Sequence, residues 1–371
     1  MSAEVNDDTD QAELREELED LKNVEDESAD DEAFTGQFAI SSFGADYNVD
    51  SLVRRMGTKA FYKPKFQREF IWNQRQASRF IESLLMGLPV PGIFIYRLDN
   101  GKHLIIDGLQ RLTTLEMFYK GIFKNRTFNL VDVRDPWKNK TYETLDESDK
   151  LRLDDSIIHT TVFKQDSPEN DNQSLYEVFE RINTGGMKLS PQEIRVCVNY
   201  VENYKDSLMA LLNTLNEDTN WRLIYGPRSI RLKDQELILR FLAFYLERSK
   251  YKRPFRGFLD GFAARHKIVT PEERSRFTRV FTSTIASVNE ALGRTAFRPE
   301  NAMNAAVFDA VMVTLAERFE AGNQLETDAI KTSYAELMKN NDFNDLVRRS
   351  TADELRLEKR FRLAKATLGG K

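Results

Sequence analysis

Cysteine occurs once in the 371 residues, at Cys197, so neither a disulfide nor a thiolate metal centre can be built within one chain. A single thiol also suits a reducing, cytosolic setting. Histidine is almost as scarce: His103, His159 and His266 are the whole supply, and they lie far apart in the chain. Zinc hydrolysis on HExxH and nuclease chemistry of the His-Asn-His kind lack their raw material. No Walker A pattern, GxxxxGK[ST], is present. No apolar run approaches eighteen residues and the N-terminus is acidic, so the reading is of no membrane span and no signal peptide. Cys197 stands among Ile194, Val196 and Val198, which reads as a small core residue and not as a nucleophile.

What is present is an ordinary globular composition, 41% hydrophobic and 30% charged, at a length that suggests two domains. The net charge of −5 hides a strong asymmetry. Residues 1–33 hold 15 acids against Arg15 and Lys22, a net of −13, whereas the remaining chain is +8. The acidic segment has few apolar residues and no aromatic one, so it reads as a disordered tail over 1–36. A short helix over Glu13–Leu21 is compatible with it, and such a tail could compete with nucleic acid for the basic body.

Residues 37–165 read as a small α/β domain and 166–371 as an α-helical one. In the first, Phe38–Ser42 predicts a strand and Tyr47–Met56 a short helix. Gln74–Gly87 predicts a helix, with Phe80, Ile81, Leu84, Leu85 and Leu88 on one face and Gly87 and Pro89 as the stop. Ile93–Tyr96 and Leu104–Ile106 flank Asp99-Asn100-Gly101, a hairpin signal. A helix follows that carries Leu112, Leu115 and Ile122, and Phe128–Val131 and Ile157–Phe163 predict further strands. In the second domain Leu175, Val178, Phe179 and Ile182 fall at helical spacing. Ser190-Pro-Gln-Glu193 and Thr270-Pro-Glu-Glu273 are capping boxes with proline at the first helical position, and Thr351-Ala-Asp-Glu354 opens a last helix.

The strongest chemical feature is Ile105-Ile-Asp-Gly-Leu-Gln-Arg111. A strand that ends in Asp-Gly and runs directly into a helix presents unpaired N–H groups, aligned with the helix dipole, to an anion such as phosphate. Gly108 admits a close approach, Arg111 could fork onto two phosphate oxygens, and Gln110 could bond beside it. The simpler alternative is a helix start in which Asp107 caps and Gln110 closes the box. Phe66-Gln67-Arg68 beside Phe70 and Trp72 suits base stacking or the edge of a core. Asn183-Thr-Gly-Gly186 is either a helix stop or an anion nest with Lys188. Arg228–Asp234 reads as a solvated basic run. Arg348, Arg349, Arg356, Lys359, Arg360, Arg362 and Lys365 make a basic terminal helix that could lie along DNA phosphate.

Five segments in order carry a resemblance: Phe66-Gln-Arg-Glu-Phe-Ile-Trp72, Ser83–Pro91, Ile106-Asp-Gly-Leu-Gln-Arg-Leu-Thr-Thr-Leu115, Phe179-Glu-Arg-Ile-Asn-Thr-Gly-Gly186 and Lys233-Asp-Gln-Glu-Leu-Ile-Leu-Arg240. Over roughly residues 45–265 the chain resembles the ParB/sulfiredoxin-like N-terminal domain of GmrSD-type, modification-dependent restriction endonucleases. The resemblance implies an α+β chain, a ParB-like core joined to helices, and nucleotide binding or hydrolysis at an Asp-Gly-Gln-Gln-Arg motif. It also implies a part in restriction and defence against foreign DNA. Carried over by residue, Asp107, Gln110 and Arg111 fall on the catalytic part of the motif. Gly108, Gln67, Arg68, Asn183, Gly186, Lys233 and Asp234 fall on nucleotide-binding positions.

Two departures matter. The first glutamine of the motif is Leu109 here, which removes a polar group and favours binding over turnover. No histidine lies in residues 267–371, so a C-terminal nuclease domain is not expected. Sulfiredoxin chemistry has no cysteine in the turn to use. The reading is a nucleoside triphosphate with Mg²⁺ as ligand, DNA and a partner nuclease or defence protein as associates, and no membrane. The alternative is a DNA-binding or adaptor module without turnover; a stand-alone nuclease has no recognisable metal cluster to work with.

Overall fold

Asn48 closes one strand and opens the next helix: its side chain accepts from the Ser51 N–H at 3.1 Å, capping the first turn. This economy of connection recurs through the first unit. The computed structural model describes residues 24–25, 39–58, 60–62, 70, 72–98, 101–167, 178, 190–199, 201 and 203–369. They fall into two units: residues 37–188, and residues 189–371 together with 1–36. The acidic segment is thus grouped with the helical unit, and the division after 188 lies beyond the expected boundary at 165.

The first unit runs β1 (Ala39–Asn48), α1 (Val49–Gly57), β2 (Phe61–Tyr62), α2 (Gln74–Leu85), β3 (Ile93–Arg97), β4 (His103–Asp107), α3 (Leu109–Tyr119), α4 (Glu147–Asp155) and β5 (Ile157–Ser167). The strands form one mixed sheet in the order β1-β5-β3-β4-β2. β1 and β5 are antiparallel along ten paired positions, β5 and β3 are parallel from Ile93 opposite Thr160, and β3 and β4 form the expected hairpin. Gly101 holds φ +77° in its turn, while Asp99 and Asn100 lie outside the described residues. Period-two patterning sends Ile93, Ile95 and Ile105 into a core with Leu52, Ile81, Leu84, Leu112 and Leu115.

Three local expectations are corrected. Leu88 does not share the buried face of α2: the helix ends at Leu85, Gly87 turns the chain at φ +70°, and Leu88 is left exposed. The helix carrying Leu112 and Leu115 ends at Tyr119. Gly121, at φ +69°, then turns the chain into a two-residue hairpin in which Phe123 is buried and Ile122 is 55% exposed. Phe128–Val131 alternates as a strand would, with Phe128 and Leu130 buried. Yet its N–H groups bond the carbonyls of Gly121 and Lys140 in a loop, so no sheet is joined.

The second unit comprises α5 (Pro191–Val198), α6 (Leu208–Asn216), α7 (Thr219–Tyr225), α8 (Lys233–Glu247), α9 (Phe255–Arg265), α10 (Pro271–Leu292), α11 (Ala305–Glu320), α12 (Thr327–Lys339), α13 (Asn341–Leu346) and α14 (Glu354–Leu368). Helix α11 is its axis, buried without interruption from Ala305 to Ala316. Such a helix is apolar around most of its circumference because neighbours surround it, Asp309 and Thr314 being its buried polar residues. Arg240 of α8 pairs with Asp309 of α11 at 2.6 Å inside this core. The capping boxes at Ser190 and Thr270 form as the sequence predicts. The last helix starts later than predicted: Asp353, accepting from the Arg356 N–H, is the cap, and Thr351 is buried before it. Cys197 is fully buried. Val24–Glu25, within the acidic segment, pairs in parallel with Met303–Asn304. The rest of the predicted tail, and the predicted helix around Leu175–Ile182 apart from Val178, lie outside the described residues.

Candidate anion site at the β4–α3 turn

The site begins with the backbone. At the end of β4, Gly108 adopts φ +97° and ψ 10°, a left-handed conformation that costs glycine little. It stands in the cap position of α3, and no side chain caps the helix. Asp107 is therefore not the cap that the simpler sequence reading supposed. Its Oδ2 accepts from Arg111 Nη2 at 2.7 Å, one helical turn on. The same Nη2 donates to the Gly92 carbonyl at 2.9 Å. Arg111 is only 14% exposed against 38% for Asp107, and its Nε is buried without a hydrogen-bond partner. The expected fork onto phosphate is corrected on this point: the guanidinium is directed inward, tying the end of β4 to the entrance of β3.

Leu109 explains the departure in the motif. It is buried and belongs to the core of the unit, so the position faces packed side chains and a polar group there would meet no water. Gln110 points elsewhere; its Oε1 accepts from the Trp72 N–H at 3.3 Å and holds the approach to α2. Phe70 and Trp72 pack edge-on against Phe123 and Phe80 at 5.6 and 5.7 Å. Those rings are core, not a stacking platform. Gln67 and Arg68 lie outside the described residues.

A second polar pair adjoins Gly92 and was not singled out from the sequence. A β-carbon on Gly92 would lie 2.7 Å from the His159 carbonyl oxygen, so the chains touch there. His159 Nδ1 and Asp46 Oδ1 are 2.8 Å apart, facing one another across the β1–β5 register, and both are exposed. They are 113 positions apart in the chain, and only strand pairing joins them. His103, at the other end of β4, has its pKa lowered by burial and by the charges of Arg55 and Arg97.

The remaining predicted residues are placed separately. Asn183 and Gly186, with Lys188, lie outside the described residues. Lys233 and Asp234 open α8 in the helical unit. Asp234 is completely buried and accepts from Asn216 Nδ2, Arg222 Nη1, and the N–H groups of Ser229 and Gln235. Burial raises its pKa, with Arg222 and these hydrogen bonds opposing. Its carboxylate organises the turn before α8, and this leaves it no part in contacting a nucleotide. Around that turn Arg228 pairs with Glu217 and Arg231 with Glu193.

The basic C-terminal run is likewise divided. Arg360 is buried and donates to the carbonyls of Leu346 and Thr351, and Arg356 engages Asp345 and the Arg349 carbonyl. Arg348 pairs with Glu300.

Among the described residues no three His, Cys, Asp or Glu side chains gather as a metal cage. None of the described helices is long and apolar enough to cross a membrane. Residues 49–198 match the family model described as the GmrSD restriction endonuclease, N-terminal domain. A comparison with curated proteins found no match.

Proposed function

We propose that residues 49–198, which match the family model of the GmrSD restriction endonuclease N-terminal domain, bind a nucleoside triphosphate at the β4–α3 turn. The observation that carries the reading is the left-handed Gly108 at the uncapped start of α3. Phosphate oxygens there would accept from main-chain N–H groups, with the helix dipole adding to the attraction. Arg111 acts as a positioning residue that holds Asp107 by one oxygen. The other carboxylate oxygen is the group that fits Mg²⁺, an ion that usually takes one or two protein carboxylates alongside phosphate and water. Bound there, the ion would neutralise phosphate charge. With Gln110 engaged by the Trp72 N–H, Leu109 buried and Arg111 turned inward, the reading is of binding without turnover.

The wider role is that of a nucleotide-responsive part of a DNA restriction or defence system, working in the cytoplasm with DNA and a partner nuclease. The ParB-like resemblance of the Asp107–Arg111 segment supports the nucleotide, and the family supports the setting. A second reading, a DNA-binding or adaptor module with a vestigial pocket, is favoured by one feature: Ile93 packs directly against Gly108.

A thermal-shift panel of nucleoside triphosphates with and without Mg²⁺ separates them. Ligand in hundredfold excess over Kd adds about 2.7 kcal/mol to stability, a shift of several degrees. The nucleotide reading expects this in the wild type, with the Mg²⁺-dependent part lost in Asp107→Asn. If no nucleotide moves the wild type, while labelled duplex binds in a salt-sensitive and nucleotide-indifferent way, the adaptor reading replaces it.

A further inference from the structure

We propose that the acidic segment of this chain, residues 4–20, docks along a basic groove on α14 and shields it from polyanions. The groove has a volume of about 620 Å³, and Leu355, Lys359, Arg362 and Lys365 line it. The four fall at helical spacing on the exposed side of α14, and Leu355 is 74% exposed. Arg248 closes one wall, its guanidinium 4.6 Å from the centre of the Phe361 ring. Two acids temper the charge: Glu358 in the groove, and Glu317 of α11, which takes Arg248 at 3.1 Å and Lys365 at 3.4 Å. Lys359 and Arg362 have no ion-pair partner among the described residues.

The occupant is argued from charge, pattern and reach. Residues 1–23 carry nine acids against Arg15 and Lys22. Leu14, Leu18 and Leu21 recur at i, i+4 and i+7 among those acids, an apolar stripe flanked by negative charge. The groove offers the converse, an exposed leucine flanked by positive charge. Val24–Glu25 pairs with Met303–Asn304, directly before α11, and belongs to the same unit as α14. Glu317, under the groove, lies roughly 20 Å along α11 at the α-helical rise. Twenty-three residues reach up to about 75 Å when extended, so the distance is no obstacle. The inference is independent of any nucleotide at the β4–α3 turn.

Zero-length carbodiimide crosslinking of the full chain, read by peptide mass spectrometry, tests it. Amide links are expected from acids of residues 4–20 to Lys359 or Lys365, at least tenfold fewer in 1 M NaCl. A second measurement uses the full chain with the nine acids changed to Asn or Gln, titrated against a fluorescent peptide of residues 1–23. It should bind the peptide at least tenfold more tightly than the wild type does. Adding Lys359→Glu and Arg362→Glu, both exposed positions, should abolish that binding while circular dichroism stays unchanged. Links confined to other lysines or running between chains, peptide binding indifferent to charge reversal, or labelled duplex bound equally by wild type and the acid-neutralised chain would each overturn the proposal.

Discussion

A β-carbon placed on Gly108 would stand 2.3 Å from Cγ2 of Ile93 and 2.9 Å from its Cβ. Glycine is therefore required twice at this turn, by the left-handed φ and by the packing of the neighbouring strand. Gly108→Ala should lower stability by about 1–2 kcal/mol from the backbone alone, with overpacking against Ile93 adding about 1–3 kcal/mol. Urea unfolding measures it. Wild-type stability in the variant would show that the turn is looser than described.

Arg111 and Asp107 form a clamp with the Gly92 carbonyl. Arg111→Met keeps the aliphatic stem but leaves a carbonyl and a carboxylate without their donor, at a cost of about 1–3 kcal/mol. A double-mutant cycle with Asp107→Asn should return a coupling of about 0.5 kcal/mol or more. Strict additivity would mean the two side chains do not act together.

Leu109 stands where the resemblance leads one to expect a glutamine. Because the position is core, Leu109→Gln should destabilise by about 1–3 kcal/mol rather than gain activity. A variant as stable as wild type, with new nucleotide turnover, would show that this position faces the ligand after all.

Glu247 provides a pH test in the helical unit. Burial alone would raise its pKa, but hydrogen bonds from Arg265, Lys250 and His266 outweigh this and hold it at about 2, against an ordinary 4.5. Between those values the unfolded chain binds the proton and the folded one does not. The contribution of Glu247 is thus whole above pH 4.5 and lost as pH falls towards 2. Wild-type stability should decline more steeply than that of Glu247→Gln across this window, by at most about 1.4 kcal/mol per pH unit. Parallel pH profiles would falsify the assignment.

Local patterns in the sequence carried much of this architecture. The boxes at Ser190 and Thr270, the β3–β4 hairpin and the strand–Gly–helix at Asp107–Leu109 each depend on a few adjacent residues, and each is legible without a structure. The Phe128–Val131 segment marks the limit: its alternation is genuine, but alternation records which side chains are buried, not where the backbone bonds go.

What the sequence by itself determined is therefore the set of elements, the α+β division and the strand–glycine–helix turn at Gly108. The tertiary structure alone decided that Arg111 faces inward, that Leu109 is core, that Asp234 is enclosed by Asn216, Arg222 and Ser229, and that Asp46 meets His159. The physical reason is distance along the chain. Capping and turn preferences act between neighbours, whereas the direction of a charged side chain is set by whichever carbonyl or carboxylate the fold brings beside it.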